Sequence, residues 1–224
     1  FMDRIVTALK VQKKDPNRIN VYLDGEYAFG VTRIVAAWLK VGQSLSEEKL
    51  AALEKQEAGE RALQKAFVLL SYRPRSESEI QKKLQDAGFE SDVVEKTLNR
   101  LREGGMVQDQ TFARTWIENR STFRPRSQRF LAYELRQKGV RNEDIETALA
   151  EASSDDQLAY QAACRYARRL QGLDRGEFRK KLSAFLGRRG FSFGTINPVV
   201  QRVWQEQEPE RSQMTMRDNE DIGD

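Results

Sequence analysis

The chain has 224 residues, 39% of them hydrophobic and 32% charged, with a net charge of +4, which suits a soluble protein with modest cores and either one large domain or several small ones. It has no histidine and a single cysteine, Cys164, which excludes an internal disulfide, zinc sites built from Cys and His, and Ser-His-Asp or Cys-His catalysis. No run approaches the roughly 20 apolar residues of a membrane span, and secretory-type apolar segments and glycine-rich nucleotide-binding patterns are missing too; the expectation is a cytoplasmic, monomeric, non-enzymatic protein with no membrane contact, cofactor or metal.

Met2, behind Phe1, is the expected natural start. The first thirty residues read as β-structure. Ile5, Thr7, Leu9 and Val11 alternate, Asp15-Pro16-Asn17 is a turn signal, and Ile19, Val21 and Leu23 alternate up to Asp24-Gly25. Asp-Gly between alternating apolar runs is a strong hairpin signal, and Tyr27, Phe29 and Val31 continue beyond it. A three-stranded antiparallel meander is predicted, covered by a helix over 34–39. Gly42 ends that helix, and Ser44 with Glu47 has the spacing of a capping box for the next.

From Glu57 onward the period is helical and the sequence repeats. Gly88, Gly139 and Gly190 are spaced 51 residues apart. The same offset aligns Ile80, Leu131 and Leu182; Leu84, Leu135 and Leu186; Phe89, Val140 and Phe191; and Arg73, Arg124 and Arg175. An internal repeat of this length marks a stacked helical architecture. Each unit reads as three helices, the first beginning near Glu60, Gln110 or Asp156, the second near Ser76, Ser127 or Asp174, and the third near Ser91, Asn142 or Ser192. Each glycine suits the left-handed position after a helix C-terminus. The predicted fold is mainly α: three tandem three-helix repeats forming an elongated curved body, with a small N-terminal β-meander subdomain. The expected divisions are 1–58 for the meander and its helices, 59–107, 108–153 and 154–206 for the repeats, and 207–224 for a disordered acidic tail. That tail holds six acidic residues against two arginines, a net −4, so the rest of the chain carries +8.

The basic side chains are the candidate binding residues. Tyr72-Arg73-Pro74-Arg75-Ser76 and Phe123-Arg124-Pro125-Arg126-Ser127 join the first and second helices of two repeats. Proline and serine suit a helix start, with Tyr72 and Phe123 expected to pack inward. Arginine opposes the positive end of the helix dipole, so Arg73, Arg75, Arg124 and Arg126 suggest an anionic partner. Arg129, Arg136 and Lys138 extend that charge in the second repeat. In the third, Arg175, Arg179, Lys180, Lys181, Arg188 and Arg189 form a second concentration, together with Arg165, Arg168 and Arg169. Phe130, Tyr133, Tyr166 and Phe185 are interleaved at core spacing, and Cys164, aligned with Ala62 and Ala113, reads as a small core-facing residue.

The segment from Ala66 to Ile80, with Leu84 and Gly88-Phe89, resembles the first repeat of the RecX regulatory proteins. Asp109, Phe112-Ala113, Arg120, Phe123–Arg126 and Glu134–Val140 resemble that family's second repeat, and the resemblance covers about 59–206. Val21–Tyr27 and Gly42-Gln43 look like the N-terminal extension of longer members. Gln108 and Ser127 depart from the family pattern at two helix starts. The resemblance implies a protein that binds the RecA recombinase filament on single-stranded DNA and restrains its ATPase, strand-exchange and co-protease activities, with direct DNA contact in some members. The alternative reading is a nucleic-acid-binding protein that acts through its basic repeats independently of RecA.

Overall fold

The computed structural model describes the backbone of residues 3–220 and the side chains of residues 3–207. The chain divides at Gln108/Asp109 into two compact units. In the first, β1 (Arg4–Val11), β2 (Arg18–Leu23) and β3 (Glu26–Thr32) form the antiparallel meander. Ile19, Val21 and Leu23 turn one face of β2 into the core. Asp24 and Gly25 both have positive φ, 52° and 91°, as in the two-residue hairpin turn whose twist matches its strands.

The sheet departs from the sequence reading in having a fourth strand, β4 (Ser44–Leu45), on the outer side of β1. Gly42, at φ +89°, reverses the chain, and its amide donates to the Val6 carbonyl at 2.7 Å. Ser44 is therefore strand, and Ser46 takes the cap, accepting from the Lys49 amide at 3.3 Å. Helix α1 (Arg33–Ala36) is shorter than expected; beyond it, bonds from Trp38 to Val35 and from Leu39 to Ala36 tighten the chain into turns.

Helix α2 (Glu47–Tyr72) runs unbroken through the 58/59 division. Its first half buries Leu53 with the sheet residues, and its second half buries Ala62, Leu63 and Ala66 in the first repeat. Between them lies Glu57, 8% exposed. Its carboxylate accepts from the Thr32 amide at 2.5 Å and pairs with Arg18 at 3.1 Å. Arg18 in turn donates to the Gly30 carbonyl at 2.8 Å. A buried carboxylate is tolerated when it is so paired and hydrogen-bonded, and here it ties two strands to one helix.

The first repeat combines α2 with α3 (Glu77–Gln85) and α4 (Ser91–Glu103). The second is α5 (Asp109–Phe123), α6 (Gln128–Gln137) and α7 (Asn142–Ala150). The third is α8 (Asp155–Ala167), α9 (Arg175–Gly187) and α10 (Phe193–Glu220), with a 3₁₀ turn at Arg168–Leu170. Among the described residues, none between 60 and 205 is in a strand. Ile80, Leu84, Leu131, Leu135, Leu182 and Leu186 are all fully buried. The first repeat has its own apolar core, whereas the second and third share one continuous core.

The three glycines end the second helices in the same way. Phe89, Val140 and Phe191 donate to Leu84, Leu135 and Leu186, while Gly88, Gly139 and Gly190 donate to Gln85, Arg136 and Gly187. This nested pair satisfies the last free carbonyls of a helix and requires positive φ at the glycine. The starts also match the reading. Ser76 forms a complete capping box with Glu79, Ser127 accepts from the Phe130 amide, and Asp174 accepts from Gly176 and Glu177. Helix α10 runs to Glu220, into the segment read as a disordered tail. Residues 221–224 lie outside the described residues. No helix among the described residues is long and apolar enough to cross a membrane.

Leu84→Ala and Leu135→Ala should each cost about 2–5 kcal/mol, the range for emptying a tightly packed leucine site; unchanged melting temperatures in both would contradict this packing. Gly190 carries a second constraint, since a Cβ there would lie 2.7 Å from Ser127 Oγ and 3.1 Å from Phe130 Cβ, whereas one at Gly88 meets nothing within 4 Å. Gly88→Ala should therefore cost only the left-handed backbone penalty of about 1–2 kcal/mol, and Gly190→Ala measurably more. Equal losses in chemical denaturation would rule out the close approach.

Candidate anion-binding corner

Two equivalent corners precede the second helices of the first two repeats, and their arginines have different fates. In the first repeat, Arg73 pairs with both Glu79 carboxylate oxygens, at 2.8 and 3.1 Å, and donates to the Pro74 carbonyl at 2.9 Å. The Glu79 hydrogen bond raises its basicity above the ordinary arginine value. Arg75 donates to the Leu69 carbonyl at 2.9 Å. Both side chains are engaged within the fold.

In the second repeat, Phe130 stands where the first has Glu79. Arg124 is consequently exposed and has no side-chain hydrogen bond or ion pair among the described residues. Arg126 lies over the Phe130 ring at 4.2 Å and pairs with Glu134 at 3.2 Å. Glu134 also accepts from Arg120 and from the Trp116 indole, each at 3.0 Å.

The third repeat adds two more cations to this corner. Arg165 Nη1 donates to the Thr122 carbonyl at 2.6 Å, and Arg189 Nη1 to the Pro125 carbonyl at 2.9 Å. The Ser127 amide returns a bond to the Arg189 carbonyl at 3.1 Å. Arg189 also lies 4.4 Å from the Phe185 ring centre. Its basicity is lowered, first by burial and then by repulsion from Arg126, Arg124 and Arg165. Burial is the larger cause; the repulsion that adds to it is what an anion would relieve.

Phe123 immediately precedes Arg124 in the chain. It is 71% exposed, and Tyr72 at the equivalent position is 78% exposed, so neither packs inward as the sequence suggested. The reason lies in helix phase. The inward positions include Ala66 on α2 and Ile117 on α5, and a residue six places later is rotated by about 240°, away from the core.

The remaining candidates are dispersed. Arg136 donates to Asn142 at 2.9 Å, Lys138 lies over Trp116 at 4.4 Å, and Lys181 pairs with Glu177 at 3.3 Å. Arg175 and Arg179 line a cavity of about 540 Å³ with Phe178, Asn197, Gln201 and Trp204. Arg129, Lys180 and Arg188 are exposed and unpaired among the described residues. Of the aromatics read as core, Tyr166 and Phe185 stack at 3.9 Å and are partly buried against the shared core, whereas Tyr133 is 56% exposed. Cys164 is half-buried against the same core. Among the described residues there is no cluster of three or more metal-ligating side chains.

Four family models match the chain: the RecX N-terminal domain over residues 4–46, and the first, second and third RecX three-helix domains over residues 62–101, 109–149 and 154–200. The chain is 28% identical to the regulatory protein RecX of Bacillus pumilus over 212 residues, covering 93% of this chain and 81% of that one. It is 33% identical to that of Lactobacillus johnsonii over 154 residues, 68% of this chain and 56% of the relative. A crystal structure of a regulatory protein RecX superposes with a TM-score of 0.69 at 28% identity, covering 88% of this chain and 98% of that one. RecX from Lactobacillus salivarius shares the fold at a TM-score of 0.57 and 20% identity, over 66% of this chain and 97% of its own.

The corner separates structural from unengaged arginines. Arg189→Ala removes a bond to a backbone carbonyl and should cost about 1–2 kcal/mol. Arg124→Ala removes only a repelling charge and should stay within about 0.5 kcal/mol of the parent. Urea denaturation of both variants checks the assignment, which a reversed order would refute.

Proposed function

This chain belongs to the RecX family, and we propose that it is a regulatory protein that binds the RecA–single-stranded-DNA filament and restrains its ATPase, strand-exchange and co-protease activities. The observation that carries the reading is the corner between the second and third repeats, where Arg165 and Arg189 reach the Thr122 and Pro125 carbonyls on either side of Arg124 and bring their charge to that of Arg124 and Arg126. Such a surface is favourable only towards something anionic, and a nucleoprotein filament presents phosphates and acidic side chains along its length. The protein acts here as a stoichiometric modulator: it makes and breaks no covalent bond, and its effect comes from occupying the filament. Arg175 and Arg179 give α9 a second cationic face for the same partner.

The direct test follows RecA ATPase on single-stranded DNA while this protein is added. Hydrolysis should fall and saturate at a fixed ratio of protein to filament; unchanged hydrolysis, with no co-sedimentation on filaments, would refute the proposal. Arg124→Ala/Arg129→Ala and, separately, Arg175→Ala/Arg179→Ala should weaken filament binding while circular dichroism stays unchanged. Each lost phosphate contact should also reduce the slope of log affinity against log salt by about 0.7–0.9. Parental affinity and slope in both pairs would remove the electrostatic part of the account.

A further inference from the structure

We propose that Phe123 is a base-stacking platform, so that this corner holds one unpaired nucleotide of a single-stranded nucleic acid, its base on the Phe123 ring and its phosphate against Arg124. The inference deepens the filament-binding reading and rests on it for the partner's identity.

The geometry is specific. Phe123 and Arg124 are consecutive and exposed. The backbone on either side of them is gripped by the third repeat: Arg165 holds the Thr122 carbonyl and Arg189 the Pro125 carbonyl. The dipeptide is thus fixed by two cations while its own side chains remain available. A backbone already held in place loses little freedom on binding. An exposed aromatic beside guanidinium groups is the pairing that proteins use for single strands, because any base offers a π-face and its phosphate offers the anion. In a duplex those faces are already stacked on neighbouring base pairs.

The neighbours on α5 argue against an apolar protein partner. Tyr72 on α2 is accompanied by exposed Phe67 and Val68, which make a broad apolar strip. The equivalent residues preceding Phe123 are Glu118 and Asn119. Phe123 is therefore an isolated ring in a polar and cationic setting. The first repeat's corner has no unengaged arginine, since Arg73 is paired with Glu79 and Arg75 donates to the Leu69 carbonyl. The two corners share a sequence pattern but differ in chemistry, and nucleotide binding is assigned to the second alone.

The test uses the full chain without RecA. Fluorescence anisotropy measures binding to a labelled oligothymidylate, to a duplex of equal length, and to an abasic strand with the same number of phosphates. The parent should prefer the oligothymidylate. Phe123→Ala should weaken that binding about tenfold, the loss of one stacked base, and should leave abasic-strand binding unchanged. Phe123→Trp should retain affinity. Arg124→Ala should weaken both strands alike, and Tyr72→Ala should affect neither. Equal parental affinity for the abasic strand and the oligothymidylate, or parental oligothymidylate affinity in Phe123→Ala, would overturn the proposal. So would a Phe123→Ala protein that loses filament binding alone, which would place the ring against protein. ATPase suppression by the parent, measured alongside, keeps the outcomes separate: suppression without a Phe123 effect on free strands refutes the stacking platform and leaves the filament reading standing, while the converse refutes only the filament reading.

Discussion

The second and third repeats are joined at one backbone crossing, and the chemistry of the candidate site depends on it. Gly190 passes so close to Ser127 and Phe130 that a side chain at position 190 would collide with the Ser127 hydroxyl and press on Phe130. At the same crossing the Ser127 amide and the Arg189 carbonyl bond directly, and the Arg189 guanidinium returns to Pro125. A proline cannot donate a backbone hydrogen bond but its carbonyl can accept one, so an arginine brought there by the neighbouring repeat is a suitable partner. The glycine serves two purposes at once: it closes helix α9 and it admits the other repeat. The continuous core behind the crossing reinforces the junction, with Leu131 and Leu135 in one cluster with Leu182 and Leu186.

That crossing also concentrates charge. Arg165 and Arg189 stand next to Arg124 and Arg126 because the backbone carbonyls at Thr122 and Pro125 need donors. Glu134 compensates part of this, through Arg120 and Arg126. Positive charge that satisfies carbonyls in this way is structural, but its field remains available to a ligand. A surface of this kind gives salt-sensitive binding and rapid encounter with a polyanion. Such a field is not directional and offers little sequence discrimination.

Repetition has not produced identical units. One substitution in the repeat pattern, Glu79 to Phe130, separates a corner whose first arginine is ion-paired from one whose first arginine is left unengaged. In the third copy Asp174 replaces the exposed aromatic and turns the same place into a helix cap. The N-terminal sheet is fastened differently, through Glu57 within α2 and the strand residues Arg18 and Thr32. A helix that contributes to two successive cores couples the sheet to the first repeat more firmly than a loop would.

Much of this was legible in the residues themselves. The Asp24-Gly25 hairpin, the 51-residue period, the six buried aliphatic positions of the second helices and the capping residues Ser76, Ser127 and Asp174 all depend on interactions within a few residues or on a regular period. Such features are encoded locally, and the left-handed glycines follow from the same short-range geometry. The fourth strand and the displacement of the cap from Ser44 to Ser46 were not legible, because strand pairing 41 residues away outcompeted a plausible local cap. Tyr72 and Phe123 looked like core residues by type and lay outside it by helix phase. Tertiary structure decided what the second corner meets: the first Arg-Pro-Arg is engaged by Glu79 and Leu69, each six residues away, whereas the second meets a third-repeat arginine 64 residues from Pro125. Ion pairing depends on what the fold brings within about 4 Å, and residue type and spacing do not carry that information over such separations.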